Sequence, residues 1–150
     1  MEKNFLDHLA NWVAVIVGII FIIIIVLVSA EVFFRYVLFS SIRGSYEISQ
    51  YLCIWLTFLG VSVGLRRAEL TSIEFVKNAL PKEVAKWVTT AVMFLMMGFL
   101  ALTVWYSFVL MIEISDTRSP AVGLNMAIPY AAVPLGSFLM IVFLIEGLFK

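Results

Sequence analysis

Long apolar stretches alternate with short polar segments along the chain, and they predict four spans at about 9–34, 46–66, 84–112 and 127–148. The hydrocarbon core of a bilayer takes roughly 17–25 residues of helix, and the third stretch is long enough to cross at a tilt. The stretches are rich in Ile, Val, Leu and Phe and too long for strands. Lipid offers no hydrogen bonds, so a spanning backbone must satisfy its own, and helix is the form that does so. The first uncharged run ends in Glu31-Val32-Phe33-Phe34-Arg35 rather than in a cleavage motif, and it reads as a retained helix. The expected fold is therefore all-α and integral to the membrane, with one four-helix domain over residues 1–150.

The polar segments set the orientation. With four spans, both chain ends and the middle loop share one side, which carries Lys3, Arg66, Arg67, Lys77, Lys82, Lys86 and Lys150. The other side carries Arg35, Arg43 and Arg118. An excess of Lys and Arg marks the cytoplasmic side, so both termini are expected in the cytoplasm. Trp12 and Trp87 then fall at inner span ends, and Tyr36, Tyr46, Trp105, Tyr106 and Tyr130 at outer ones, as an aromatic belt requires.

Between the second and third spans, Leu70, Ile73, Val76 and Leu80 recur at spacings of three and four among Glu69, Glu74 and Lys77. That pattern predicts a short amphipathic helix in the inner interface, and Pro81 suits the first turn of the helix that follows. In the first outer loop, Ser45 is placed to N-cap the second helix, with Glu47 in its first turn. Pro129 fits the start of the last helix, whereas Pro134 falls inside it and predicts a kink or carbonyls left open.

Composition narrows the class. The chain is 63% hydrophobic and 13% charged, against about 45–50% and about 25% in soluble domains, and its mean hydropathy is +1.09. Ten basic residues balance ten acidic ones, so no nucleic-acid partner is indicated. The single cysteine, Cys53, lies in an apolar run and reads as a small hydrophobe. Catalysis has little to work with. His8 is the only histidine, no Cys/His cluster could hold zinc, and no glycine-rich phosphate loop is present. No enzyme activity and no cofactor are expected in this chain.

Charges deep in a span usually mark a transport path, and the middles of these spans have none. Glu31 with Arg35, and Glu146 with Lys150, are spaced for helix-surface pairs near span ends. Gly60 and Gly64 form a G-x-x-x-G pair and are candidate helix-packing residues.

Several segments in order carry a family resemblance: Arg35-Tyr36-Val37, Ser45-Tyr46-Glu47, Tyr51-Leu52, Trp55-Leu56-Thr57-Phe58-Leu59-Gly60, Arg66-Arg67-Ala68-Glu69, Ser119-Pro120-Ala121 and Ile128-Pro129-Tyr130-Ala131-Ala132-Val133-Pro134-Leu135-Gly136. Through these the chain resembles the small (DctQ-like) membrane subunit of tripartite ATP-independent periplasmic (TRAP) transporters. It departs from the family pattern twice. Only one acid stands where the family often has a pair near Glu47, and Leu70 stands where it often has His.

The resemblance implies a subunit of a bacterial or archaeal cytoplasmic (inner) membrane that braces an obligate large subunit. That large subunit would carry the substrate and sodium sites, and a periplasmic binding protein would deliver the solute. It further implies sodium-coupled uptake of an organic acid, such as a dicarboxylate, a sialic acid or a sulfonate. Arg35, Arg43, Glu47, Asp116 and Arg118 are the candidates for docking a partner on the outer face, with lipid headgroups as the alternative contact. The competing reading is a self-sufficient small exporter of the multidrug type, in which Glu31 would exchange protons for cations.

Overall fold

The computed structural model describes residues 5–79 and 82–148. The described chain forms α1 (Phe5–Val37), α2 (Ser45–Ala79), α3 (Lys82–Glu113), α4 (Ala127–Tyr130) and α5 (Ala132–Leu148). Four helical segments are long and apolar enough to cross a membrane: Leu6–Val37, Ser45–Arg67, Trp87–Glu113 and Ala127–Glu146. No strand occurs among the described residues, only an isolated antiparallel bridge between Arg118 and Asn125.

The helices stand in a row rather than in a closed bundle. α2 packs on α1 and on α5, α5 packs on α2 and α3, and α2 touches α3 only slightly. The spatial order is therefore α1, α2, α5, α3. Burial follows it: the fourth span is far more buried than the first and the third, which have few buried residues. One apolar cluster joins α1 to α2 through Val13, Leu59 and Val63, and a second joins α3 to α5 through Leu100, Met140 and Leu144, with Phe58 of α2 against it. The outward faces of α1 and α3, among them Ile22, Val26, Phe94, Leu95 and Phe99, are exposed.

Two helices come close enough to exclude a side chain at Gly136 of α5. A Cβ built there would lie 2.6 Å from the Cβ of Phe58 and 2.9 Å from its backbone C and O. Only a residue without a side chain lets α5 lie against the α2 backbone here. The expected packing pair behaves differently. Gly60 has ordinary room, 3.7 Å from Val17, and Gly64 faces open space. Within this chain the G-x-x-x-G pair is not the site of tight approach, because α1 meets α2 through the larger Val13, Leu59 and Val63 side chains.

Two local expectations change on the backbone. Residues 69–79 are helical, but they continue α2 without a break instead of forming an element of their own. Leu80 and Pro81 lie outside the described residues. Near the other end, α4 gives way to α5 at Ala131. Pro134 has no N–H for the Tyr130 carbonyl, so the helical ladder stops there, and Leu135 resumes it by donating to the Ala131 carbonyl at 3.3 Å. Pro129 sits in the first turn of α4, where its missing donor costs nothing.

Candidate functional site

Polar side chains that reach across the chain gather at the two ends of the row. One end holds the start of α1 and the finish of α5. The other holds the connecting segments 38–44 and 114–126.

At the loop end, Glu47 lies in the first turn of α2 and turns toward the α3–α4 connection. Its carboxylate accepts a short hydrogen bond from the Ser119 hydroxyl. It also accepts from the Ala121 N–H at 3.2 and 3.3 Å and from the Val122 N–H at 3.3 Å. Three donors thus converge on one anion, the arrangement in which a carboxylate forms its stronger, charge-assisted bonds. The loop is closed on itself as well: Ser119 N–H donates to the Leu124 carbonyl at 2.8 Å, and Met126 N–H to the Thr117 carbonyl at 3.0 Å. Asn125 ties both sides together, donating to the Ser115 carbonyl at 2.7 Å and accepting from the Ala127 N–H at 2.8 Å.

Gly44 lets the two connections meet. Its φ is +82°, and an added Cβ would come within 2.6 Å of a Val122 methyl. Both the backbone conformation and the contact require glycine.

Glu31 performs the matching role between α1 and the 38–44 segment. Its Oε2 accepts from the Ser45 hydroxyl at 2.8 Å and from the Ile42 N–H at 3.0 Å. Two expectations are corrected by this. Ser45 is the first residue of α2 rather than its N-cap and donates its hydroxyl to the Glu31 carboxylate. The first helical bond runs from Ile48 N–H to the carbonyl of Gly44 at 3.0 Å, which puts Gly44 in the cap position. Glu31 also forms no ion pair with Arg35; its carboxylate instead holds Ile42 of the connecting segment and Ser45 at the start of α2.

The expected docking residues separate on this surface. Arg35, Arg43, Asp116 and Arg118 are exposed, whereas Glu47 is half-buried and bonded within the chain. Arg43 and Arg118 belong to the two segments that Gly44 and Glu47 bring together. Arg35 stands apart on the last turn of α1. Phe39 adds a residue that sequence reasoning passed over. It is 91% exposed and held at φ +51°, a conformation that side-chain-bearing residues seldom adopt.

At the opposite end, one guanidinium joins three helices. Arg66 Nη2 of α2 lies 2.8 Å from Asp7 Oδ1 of α1 and 3.0 and 3.2 Å from the two carboxylate oxygens of Glu146 of α5. Its Cζ stands 5.0 Å from the centre of the Phe143 ring. The Arg66 and Glu146 side chains are only 11% and 14% exposed, and Asp7 is 47% exposed. Glu146 thus takes a long-range partner in Arg66, and the expected Glu146–Lys150 pair falls on Lys150, which lies outside the described residues. Sequence spacing favours local pairs. The signal for this cluster was weaker: three charges at the same depth, at one end of three different spans.

Comparison with known proteins agrees with this architecture. Residues 24–150 match the family described as tripartite ATP-independent periplasmic transporters, DctQ component. A sialic acid TRAP transporter permease protein, SiaT, of Haemophilus influenzae is 26% identical over 137 residues. The match covers 91% of this chain but only 22% of SiaT, so the chain spans about a fifth of that relative. A protein of another strain of that species, described as a TRAP transporter small permease, is 29% identical over 126 residues, covering 82% of this chain and 76% of the relative. This four-span chain belongs to the DctQ component family of the tripartite ATP-independent periplasmic transporters.

Proposed function

We propose that the chain braces a large substrate-translocating membrane subunit and helps to dock a periplasmic binding protein during sodium-coupled uptake of an organic acid. The observation that carries this reading is the open row of helices. A chain that worked alone would have reason to close its bundle around a path, yet α1 and α3 turn broad apolar faces outward. Those faces suit a second membrane protein as well as lipid. In SiaT the matching stretch is one part of a longer permease, which fits a small subunit built to sit beside a larger one. The name of that relative makes a sialic acid the first solute to try.

In this reading both termini are cytoplasmic, the loop end faces the periplasm of a bacterial or archaeal cell, and the turns of α2 past Arg67 rest at the inner interface. Arg35, Arg43, Asp116 and Arg118, together with Phe39, then present the docking surface, and Glu47 keeps its shape. The exporter alternative loses its coupling residue, since Glu31 is engaged by Ser45 and Ile42.

Co-purification tests the proposal. A tagged copy expressed beside its neighbouring reading frames should retain a large membrane protein in fixed ratio. Uptake into proteoliposomes should need sodium, both membrane proteins and a soluble binding protein. Transport by this chain alone would overturn it.

A further inference from the structure

α1 and α2 are in apolar contact along only part of their length. The cluster that joins them involves residues 9–20 of α1 and residues 55–63 of α2. Past Ile20, toward the loop end, α1 has no buried residue. A cleft of about 690 Å³ opens between the two helices there.

The cleft is polar at one end and apolar at the other. Ile24, Val28, Val32 and Cys53 form its lower walls, and Glu31, Arg35, Ser41, Tyr46 and Gln50 stand at its rim. Arg35 makes no ion pair among the described residues. Glu31 accepts the Ile42 and Ser45 hydrogen bonds on Oε2 and has the Ser41 hydroxyl beside it as a further donor, yet a carboxylate has about four lone-pair sites in all. The rim therefore offers one cation and one anion, four residues apart on the last turns of α1, above an apolar trough.

We infer that this cleft binds one zwitterionic phospholipid bearing a primary ammonium, from the leaflet on the loop side. The phosphate lies on Arg35, with Tyr46 and Gln50 as further donors. The ammonium lies toward Glu31, and one acyl chain runs along Ile24, Val28 and Cys53. Charge complementarity selects this occupant. A purely anionic headgroup would meet the Glu31 carboxylate, and a partner helix would leave the Arg35 charge in the membrane without a counter-ion. Tyr36 and Tyr46 are at the level where aromatic side chains meet headgroups. The binding goes beyond the subunit reading and does not depend on it.

The test uses the full chain in nanodiscs of equimolar phosphatidylethanolamine and phosphatidylglycerol, transferred to detergent for native mass spectrometry. One phosphatidylethanolamine should stay bound, and it should slow alkylation of Cys53, the chain's only cysteine. Arg35→Ala, which removes charge-assisted bonds, should lower retention about tenfold or more. Val28→Trp should do the same by filling the trough. Ile22→Trp, on an exposed part of α1 outside the cleft, should leave retention unchanged and so control for folding. Soluble phosphoethanolamine should not displace the lipid. Equal retention of the two lipids, displacement by the free headgroup, or Cys53 protection that arises only with a second membrane protein would each overturn the proposal.

Discussion

The two ends of the row are fastened by different chemistry. At the terminal end, a nearly buried guanidinium of α2 holds two carboxylates, one from α1 and one from α5. At the loop end, two carboxylates are held by hydroxyls and backbone N–H groups of connecting segments, with no cation at ion-pair distance among the described residues. The first arrangement fixes helices against one another. The second fixes the shape of a surface. Arg35, Arg43 and Arg118 stand exposed on that surface.

The contrast can be broken most forcefully at Arg66. Replacing it with Met takes away the guanidinium that Asp7 and Glu146 share, and a buried ion pair broken from one side costs about 3–5 kcal/mol. Equilibrium unfolding of the purified chain in mixed micelles should show that loss. Glu47→Ala should cost less, about 1–3 kcal/mol, and should act locally. Limited proteolysis should speed up within residues 117–126 while the Asp7–Arg66–Glu146 contacts survive. If the ends are independent, the Arg66→Met and Glu47→Ala costs should add to within about 0.5 kcal/mol, because 19 residues of α2 separate them by roughly 28 Å. Coupling beyond that would mean that α2 transmits strain from one end to the other. Asp7→Asn should have a smaller effect, about 0.2–1 kcal/mol, weakened further by salt, as befits a half-exposed partner. The smallest effect is expected for Glu31→Gln, whose amide oxygen still accepts from Ser45 and Ile42. Its unfolding midpoint should move less than that of Asp7→Asn.

Much of this fold is legible in the sequence, and what is hidden has a common cause. The spans are readable because apolar length alone distinguishes a membrane helix. Their order in space is not, since helices that are apolar toward lipid and apolar toward their neighbours show no stripe that marks the packed face. Gly60 and Gly64 illustrate this, because their spacing is right for close approach and yet Gly136, with no partner glycine at that spacing, makes the tight contact. Glu31, Glu146 and Ser45 illustrate a second limit. Each has a plausible partner within four residues, and each takes one from a distant segment that only tertiary packing brings near. Glu47 was legible as a carboxylate in the first turn of the second helix, but not as one turned inward onto the 119–122 loop.

The order of helices in the row differs from their order along the chain, and this bears on how the molecule is made. The last span lies between the second and the third, which barely touch without it. A chain emerging from the ribosome therefore inserts α3 before anything exists for it to pack on, and α3 waits in lipid until α5 arrives to join it to α2. Gly136, late in synthesis, then has to find the Phe58 backbone laid down more than seventy residues earlier. During that interval the third span is an unattached helix, and it is the segment of the nascent protein most open to capture by another membrane protein or by the quality-control machinery of the membrane.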